Sequence, residues 1–324
     1  MIIKERSVPL NIKKLEALLR RLPNDHVQRK RIEQDLAKFK AGYQGEKSLD
    51  YHLSFFDKDR YIIIHDVRLS DNEKRFFQID TIILSPTMVL ILEVKNIVGT
   101  LYFEENFNQL IRIIDDKEEA FSNPILQVDR QKIQLQSWLA QHKFEKYTIV
   151  PLVVLSNPKT IIKASSNQRE IAQKVIHSEL LYKKMKDLEF TYKKEVYSQK
   201  EMKRLSKILI KANQFFDYNI LDKYKILDNE VLTGVICEKC NAFSMERKRG
   251  RWNCPYCLFY SKDAHQSALN DYSLLFGNSI TNHQLRKFLH IDSVYNASRL
   301  LSTLKLTNTG SNKGKVYYFN EPIV

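Results

Sequence analysis

The stretch "FFQIDTIILSPTMVLILEVKN", residues 76–96, carries charged side chains within two apolar runs. The turn-forming residues 85–87 separate the runs and predict a β-hairpin that closes there. Buried strands are usually built from residues such as Val and Ile, yet Asp80, Glu93 and Lys95 interrupt these two. These three charged residues are therefore the first candidates for a functional site.

The pairing of the two predicted strands brings the charged groups together. A hairpin closed at 85–87 places Asp80 opposite Leu92 or Glu93. Side chains alternate between the faces of a strand, so Glu93 and Lys95 point the same way. We therefore expect Asp80 and Glu93 to lie within reach of one divalent ion, with Lys95 beside them.

This grouping of charges is typical of a metal site. Two buried carboxylates repel each other and lose their hydration unless a cation joins them. Oxygen ligands with open positions suit Mg²⁺ or Mn²⁺, and such an ion activates water and neutralises charge on a scissile phosphate. Lys95 would position the water or stabilise the developing charge. The alternative is a salt bridge between Asp80 and Lys95 at the sheet edge, with Glu93 solvated.

The composition indicates a folded chain with a polyanionic partner. The 324 residues suffice for about two or three domains, and the 43% that are apolar suffice for a packed core. Lysine and arginine number 52 against 38 aspartate and glutamate, a net charge of +14. Nucleic acid is therefore the first candidate partner. The alternative is a basic soluble protein whose charge is unrelated to binding a polyanion.

The sequence predicts neither a membrane span nor a secretory leader. No run approaches ~18 consecutive apolar residues. The first residues, MIIKERSVPLNIKKLEALLRR, lack the apolar segment of a leader peptide. We therefore expect a cytoplasmic protein with no membrane partner.

Hydrophobic periodicity outside the hairpin predicts a mixed α/β fold. Two helices are expected over residues 11–41, and the second can continue through Gly42 and Gly45. The hairpin is expected to belong to one α/β domain together with four further elements. These are a strand pattern at 61–67, a shorter one near 99–103, a helix pattern at 123–142 and a buried strand pattern at 147–155. Residues 160–230 are Lys-rich and mostly helical in pattern.

All four cysteines fall in the segment "CEKCNAFSMERKRGRWNCPYC". Two CxxC pairs separated by thirteen residues can give four thiolates to one tetrahedral Zn²⁺; these are Cys237, Cys240, Cys254 and Cys257. Such a zinc ion replaces the core that so short a segment cannot build. Four free thiols would be the alternative.

The residues between the two cysteine pairs are strongly basic. They are Arg247, Lys248, Arg249 and Arg251, next to Trp252. Basic side chains beside an aromatic ring can hold a phosphate backbone or stack on a base. The same residues could instead form a solvated loop.

The C-terminal stretch, residues 280–320, predicts two short helices followed by two strand-like runs around a Gly-rich turn. This order resembles a winged helix. In that resemblance the second helix offers Asn296 and Arg299 to a major groove, and Lys313 and Lys315 on the wing reach backbone phosphates. Many winged helices contact proteins instead.

The order of the motifs resembles a known nuclease family. The spacing Asp-x(12)-Glu-x-Lys resembles the core of the PD-(D/E)xK superfamily, and its details resemble the nuclease-related domain (NERD) family. The matching pieces are Gly45-Glu46, Ile79-Asp80, Glu93-Val94-Lys95-Asn96, and Asn123-Pro124 with Gln127, in order across residues 40–142. The proline that precedes the first aspartate in the superfamily is absent, and Gln78-Ile79 stand there.

This resemblance implies a restriction-endonuclease-like mixed sheet flanked by helices and a metal-dependent phosphodiesterase. Asp80 and Glu93 would bind Mg²⁺ or Mn²⁺, and Glu46 would bring a third carboxylate on its helix. Lys95 would be the catalytic cation. Gln127 would help to hold the site or contact the phosphate.

We therefore expect a cytoplasmic nuclease that hydrolyses phosphodiester bonds in DNA, with a homodimer favoured if it makes paired double-strand cuts. The alternatives are a non-catalytic DNA-binding or regulatory protein on an inactive nuclease fold, and an RNA-directed nuclease. Four segments are expected: helices at 1–41, the NERD-like domain with its Lys-rich helical extension at 42–230, a zinc ribbon at 231–262 and a winged-helix-like module at 270–324.

Overall fold

The computed structural model describes residues 1–104, 106–165 and 168–319, except for the side chain of Lys313. The helices are α1 Leu10–Arg21, α2 Arg29–Leu53, α3 Pro124–Gln141, α4 Gln168–Lys174, α5 Leu181–Thr191, α6 Gln199–Ala212, α7 Ile220–Tyr224, α8 His265–Phe276, α9 Asn282–Leu289 and α10 Val294–Thr303. The strands are β1 Ile2–Lys4, β2 Ile62–Ser70, β3 Phe76–Leu84, β4 Met88–Lys95, β5 Thr100–Glu104, β6 Gln109–Ile114, β7 Lys117–Phe121, β8 Thr148–Leu155, β9 Ile161–Ala164, β10 Val175–His177, β11 Glu246–Lys248, β12 Arg251–Asn253, β13 Tyr260–Ser261, β14 Ser279–Thr281, β15 Thr307–Thr309 and β16 Val316–Tyr318.

The chain forms two compact units, and each draws on two separate parts of the sequence. The first unit combines Met1–Ser7 with Lys40–Phe216, and the second combines Val8–Phe39 with Asp217–Val324. This division differs from the four segments expected from the sequence. The physical reason is that α1 packs its apolar face with the C-terminal part of the chain.

A six-stranded mixed sheet forms the centre of the first unit, in the order β1-β2-β3-β4-β8-β10. Strands β2, β3 and β4 are antiparallel, whereas β8 runs parallel to β4. One face packs against α3 and α6, and the other packs against the end of α2 and α5. The expected mixed sheet flanked by helices is confirmed.

The predicted hairpin is confirmed in its turn and in its register. The turn closes where Ser85 N donates to Met88 O, at 3.0 Å. Thr81 pairs with Leu92, which corresponds to placing Asp80 opposite Glu93. Both strands are buried on two faces along most of their length, which explains their nearly continuous apolar sequence.

A second, four-stranded sheet of the first unit has the order β7-β6-β5-β9. Its β6–β7 hairpin turns at Asp115 and Asp116, which both have positive φ. Aspartate tolerates this conformation better than most residues, and a two-residue hairpin turn of type I′ requires it at both positions. The Lys-rich stretch after residue 160 contains β9 and β10 as well as the expected helices.

In one part of the second unit, helices α1, α7 and α8 pack together around a hydrophobic core. Leu15, Leu18 and Ile32 pack with apolar residues of the C-terminal part of the chain. Arg21 is fully buried, and its Nε donates to Asp271 Oδ2 at 2.8 Å. A buried charge of this kind is tolerated because it is paired and hydrogen-bonded.

The remaining part of the second unit contains two small sheets and two helices. Strands β11, β12 and β13 form one sheet, and the other has the order β14-β16-β15. Helix α9 begins at a capping box in which the Thr281 side chain accepts from Gln284 N. The order of helix, helix and hairpin is the one expected from the sequence. No helix in the described part of the chain is long and apolar enough to cross a membrane.

Candidate active site and zinc site

The candidate site lies where β3 and β4 separate. Their backbone pairing ends at Thr81 and Leu92, one residue before Asp80. The Asp80 carboxylate then takes the place of a backbone acceptor, because Val94 N donates to its Oδ2 at 2.8 Å. Within the described residues, the other oxygen of Asp80 accepts no hydrogen bond, which leaves it available as a ligand.

Glu93, on strand β4, is held between a donor on its own strand and a donor on helix α3. Its side chain is buried, and Lys95 Nζ donates to Oε1 at 2.7 Å while Gln131 Nε2 donates to Oε2 at 2.8 Å. The alternative of a solvated Glu93 is therefore wrong. Lys95 pairs with Glu93 rather than with Asp80.

Helix α3 supplies two glutamines to this site. Gln127 Oε1 accepts from Lys95 Nζ at 3.2 Å. Gln131, four residues later on the same helical face, was missed by the sequence reasoning, although its i+4 spacing was a usable signal. Its Nε2 also donates to Gln78 O at 2.9 Å, and its buried Oε1 has no partner among the described residues.

Helix α2 packs closely against the residues next to the site at a glycine, Gly45. A Cβ atom at Gly45 would lie 2.4 Å from Asn96 Cβ and 2.7 Å from Ser156 Oγ. Asn96 Nδ2 also donates to Ala41 O at 2.8 Å. The Gly-Glu and Glu-x-Lys-Asn motifs thus have a structural reason to occur together, because Asn96 packs on the glycine that precedes Glu46.

Arg6 is a site residue that the sequence did not reveal. Its side chain is only 3% exposed, and Nη1 donates to Glu46 Oε2 at 2.5 Å. Its Nη2 lies 3.2 Å from Thr81 Oγ1 and 3.0 Å from His65 Nδ1. Arg6 therefore connects the carboxylate of α2 to the strand that carries Asp80.

Burial and like charges perturb the titration of the acidic groups. Burial, followed by the charges of Glu93 and Glu46, raises the pKa of Asp80 well above its ordinary value. Burial also raises the pKa of Glu46, although the charge of Arg6 opposes this shift. For His65, burial and then the charge of Arg6 lower the pKa to about 3, so this imidazole is neutral at physiological pH.

The oxygen donors of the site fit a hard divalent cation. Mg²⁺ commonly takes one or two carboxylates and keeps several waters, so Asp80 and Glu93 suffice in number. Glu46 does not complete a tight triad with them. In the part of the chain that the structure describes, the three carboxylates do not form a group whose ligand atoms all lie within 4.8 Å of one another, whereas the four cysteines do.

The four cysteines form a cluster that could hold a metal ion, as predicted from their spacing. The sulfur of Cys237 lies 3.5 Å from that of Cys257, and Cys240 lies 3.5 Å from Cys254. A tetrahedron with Zn–S bonds of about 2.3 Å has edges of about 3.8 Å, so these distances suit structural zinc. Backbone N–H groups, that of Cys257 first, lower the pKa of Cys254 to about 6. The hydrogen bond from Ala242 N lowers the pKa of Cys240, but burial and contacts with the other thiols outweigh it and raise this pKa to about 12.

Both cysteine pairs lie in turns of the same geometry. Asn241 N donates to Cys237 O at 2.8 Å, and Leu258 N donates to Cys254 O at 3.1 Å. Asn241 and Leu258 both have positive φ. Two matching turns that present paired thiols are consistent with a zinc ribbon.

The basic residues near the cysteines have mixed surroundings. Trp252 is fully buried and donates to His265 Nδ1 at 3.1 Å, so it is not available to stack on a base. The Arg247 guanidinium lies 5.3 Å from the Trp252 ring centre. Lys248 pairs with Glu246 at 2.5 Å. The exposed residues of this set are Lys248, Arg249 and Arg251.

The predicted contacts of the C-terminal module are largely accessible. Asn296 and Arg299 are exposed on α10. Lys315 is half-buried, and its Nζ lies 5.2 Å from the Tyr317 ring centre. The side chain of Lys313 lies outside the described residues.

A mixed sheet flanked by helices, with carboxylates and a lysine where two central strands separate, defines a nuclease-like α/β domain. Residues 41–156 match the family model described as nuclease-related domain, which confirms the resemblance for this segment. The chain is also similar to the uncharacterized protein pXO1-01 of Bacillus anthracis, with 30% identity over 102 residues. That alignment covers 32% of this chain and 48% of the relative, so the chain spans about half of the relative's length.

Replacing Gly45 by Ala is expected to destabilise the first unit by about 1–3 kcal/mol, since the new methyl group overlaps a Cβ atom and not a flexible side-chain end. Gly42 in the same helix is the matched control, because a Cβ there meets nothing within 4 Å. Gly42→Ala should stabilise by up to about 1 kcal/mol through helix propensity. Urea unfolding of both variants measures the difference. Equal stabilisation by the two would contradict the close packing at Gly45.

Proposed function

We propose that the chain is a metal-dependent nuclease that acts on DNA. The observation that carries this proposal is the grouping of Asp80, Glu93 and Lys95 at the end of the paired region, together with the family match of residues 41–156. Bound by Asp80 and Glu93, Mg²⁺ or Mn²⁺ would supply an acidified water and positive charge at the scissile phosphate.

The side chains of the site divide the remaining tasks. Lys95 holds three protons as a compact cation and would stabilise negative charge on the phosphate. Gln127 and Glu93 fix its ammonium from two sides. Gln131 holds the second oxygen of Glu93, and Arg6 holds Glu46.

One observation favours a second candidate, a non-catalytic DNA-binding protein on the same fold. Glu93 and Glu46 each already have a cationic partner within the protein, Lys95 and Arg6. Such pairs neutralise two of the three carboxylates without a metal ion. A metal ion must therefore compete with Lys95 for Glu93. If the metal ion did not displace Lys95, the domain would bind DNA without cleaving it.

The second unit would contribute to holding the nucleic acid. We propose contacts from Asn296, Arg299 and Lys315 on a winged-helix-like module, with Arg249 and Arg251 near the cysteines. Lys313 belongs to the same proposal from its sequence position. We also propose a cytoplasmic location, since cysteines grouped for a metal ion suit a reducing compartment.

The proposal is tested by incubating the full chain with plasmid DNA and with structured RNA, in Mg²⁺, Mn²⁺ or EDTA. We expect cleavage of DNA that requires the metal and stops in EDTA. Cleavage of RNA alone would reassign the substrate. Tight binding of DNA without cleavage in either metal would support the non-catalytic candidate. Size-exclusion chromatography of the protein–DNA complex would show whether two copies of the chain bind one DNA molecule.

Replacing Lys95 by Ala is expected to lower the cleavage rate by about 10²-fold or more while Mn²⁺ binding persists. Lys95→Arg should not restore activity, because the larger, planar guanidinium group does not replace a compact ammonium group on a packed strand. The exposed Lys183 provides the control variant Lys183→Ala. Titration calorimetry with Mn²⁺ measures binding separately from cleavage. Loss of Mn²⁺ binding in Lys95→Ala would contradict the assigned role.

A further inference from the structure

Helix α6 separates its apolar and basic residues onto opposite faces. Met202, Leu205 and Leu209 are buried in the core of the first unit. The opposite face carries a row of exposed cations with helical spacing, which are Lys200, Lys203, Arg204, Lys207 and Lys211. We call these five residues the α6 basic face.

The cations of the α6 basic face are not neutralised by ion pairs within the described residues. None of its five residues makes an ion pair or a side-chain hydrogen bond with any residue that the structure describes. The acid of the same helix, Glu201, is bonded to the backbone N and Oγ of Ser198 in the N-terminal cap. Two other helical lysines of this unit do make ion pairs: Lys174 contacts Asp129 and Lys186 contacts Glu189.

The stability of the helix does not explain this arrangement. Like charges three and four residues apart repel each other, and the spacing within the α6 basic face repeats this pattern. Lys200 also lies in the first turn, where the helix dipole disfavours a cation. A charged row that opposes helix formation, yet is kept on one face, indicates an external anionic partner.

We propose that the α6 basic face binds the phosphate backbone of duplex DNA; this inference rests on the proposed function for the identity of the ligand. The face runs about 16 Å from Lys200 to Lys211, which spans several phosphates of one strand. Lysine ammonium groups act as point charges that hold phosphate without reading bases. The contact is therefore independent of DNA sequence.

The packing of α6 favours a nucleic acid over a lipid surface. A helix that binds in a membrane interface inserts its apolar face among the acyl chains. In α6 that face is occupied by the core, where Met202 and Leu205 are fully buried. Only the charged face remains to meet a partner, and charge alone suits a polyanion in water.

The test compares two variants with the same change in net charge. The first replaces Lys200, Lys203, Arg204 and Lys207 by Gln. The matched control replaces four exposed lysines elsewhere on the same unit by Gln: Lys58, Lys159, Lys183 and Lys194. Both are made in full-length protein carrying Asp80→Asn, and binding of a labelled DNA duplex is measured in EDTA between 50 and 200 mM salt, roughly the range over which phosphate contacts show.

The first variant is expected to lose about 0.9 in the slope of log K against log salt for each contact removed, so about 2 to 4 in all. The control should lose about 1 or less. Equal losses in both variants, or no loss in the first, would overturn the proposal. So would binding to anionic phosphatidylserine vesicles that depends on the α6 basic face while DNA binding does not.

A single substitution separates binding from folding. Lys200→Glu should raise the unfolding midpoint slightly, because an acid in the first turn suits the helix dipole. The same change should weaken DNA binding by several-fold, since it reverses one charge of the face. Weakened folding with unchanged binding would refute the role of this residue. If the wild type binds DNA through α6 but cleaves nothing, the α6 inference stands and the nuclease proposal fails.

Discussion

Asp80→Asn is expected to abolish metal-dependent cleavage, with a loss on the order of 10³-fold or more in rate. The carboxylate lies where the paired strands end, and one of its oxygens accepts no hydrogen bond within the described residues. An amide is a weaker ligand for a hard cation than a carboxylate. The Asn side chain can still accept the hydrogen bond from Val94 N, so the local structure should persist.

The control for this variant is Asp187→Asn, which changes an exposed acid on helix α5. Cleavage is followed on plasmid DNA at several Mn²⁺ concentrations, and DNA binding is measured in EDTA. Asp80→Asn should bind DNA as well as the wild type does. Full cleavage by this variant would remove Asp80 from the proposed machinery.

The same variant has a defined effect on stability against pH. Burial and two neighbouring carboxylates raise the folded-state pKa of Asp80 above its ordinary value near 3.9. The stability contributed by this group is therefore present at acid pH and is lost as the pH rises through the folded-state pKa. In EDTA at neutral pH, Asp80→Asn should unfold at an equal or higher urea concentration than the wild type. A marked loss of stability there would show that the carboxylate holds the fold.

If the four cysteines bind zinc, Cys254→Ser is expected to abolish zinc binding and to unfold the segment around the cysteines. Structural zinc in small modules contributes about 10–16 kcal/mol of binding free energy at neutral pH. Trp252 is fully buried beside these cysteines, so loss of the metal should expose it to water. Metal analysis should give one zinc per wild-type chain and less in the variant.

Trp252 emission reports on this region once the other tryptophan is replaced. The chain has two tryptophans, so the measurement uses a Trp138→Phe background. Ser244→Ala is the matched control, because Ser244 Oγ lies 3.8 Å from Cys254 Sγ and is not a thiol ligand. It should keep both the zinc and the emission. Wild-type protein that folds without zinc would contradict the assignment.

The sequence predicted those parts of the site that depend on local patterns. The hairpin followed from its turn residues, and its register followed from the turn. The helix that presents Glu46 was predicted to run past Gly42 and Gly45, and α2 does so. The cysteine cluster followed from spacing alone, because two CxxC pairs at this separation are typical of a metal site.

The parts that the sequence did not predict depend on contacts between distant residues. Arg6 contacts Thr81, which is 75 residues away in the sequence. Arg6 follows strand β1, which has only three residues and no alternation to detect. Strand β7 was missed for another reason. Its sequence KEEAF is exposed on nearly every residue, so no burial pattern marks it. Strand signals depend on one buried face, which β7 lacks.

Each of the two units is built from two separate sequence segments, which has a consequence for limited proteolysis. The exposed segment between Ala212 and Ile220 contains the last crossing of the chain from the first unit to the second. A protease that cuts there leaves α1 on the N-terminal fragment, while the partners of α1 lie on the C-terminal one. The buried pair of Arg21 and Asp271 also joins the two fragments. The nicked protein should therefore migrate as one particle until denaturant separates its pieces, and fragments made apart should reassemble when mixed.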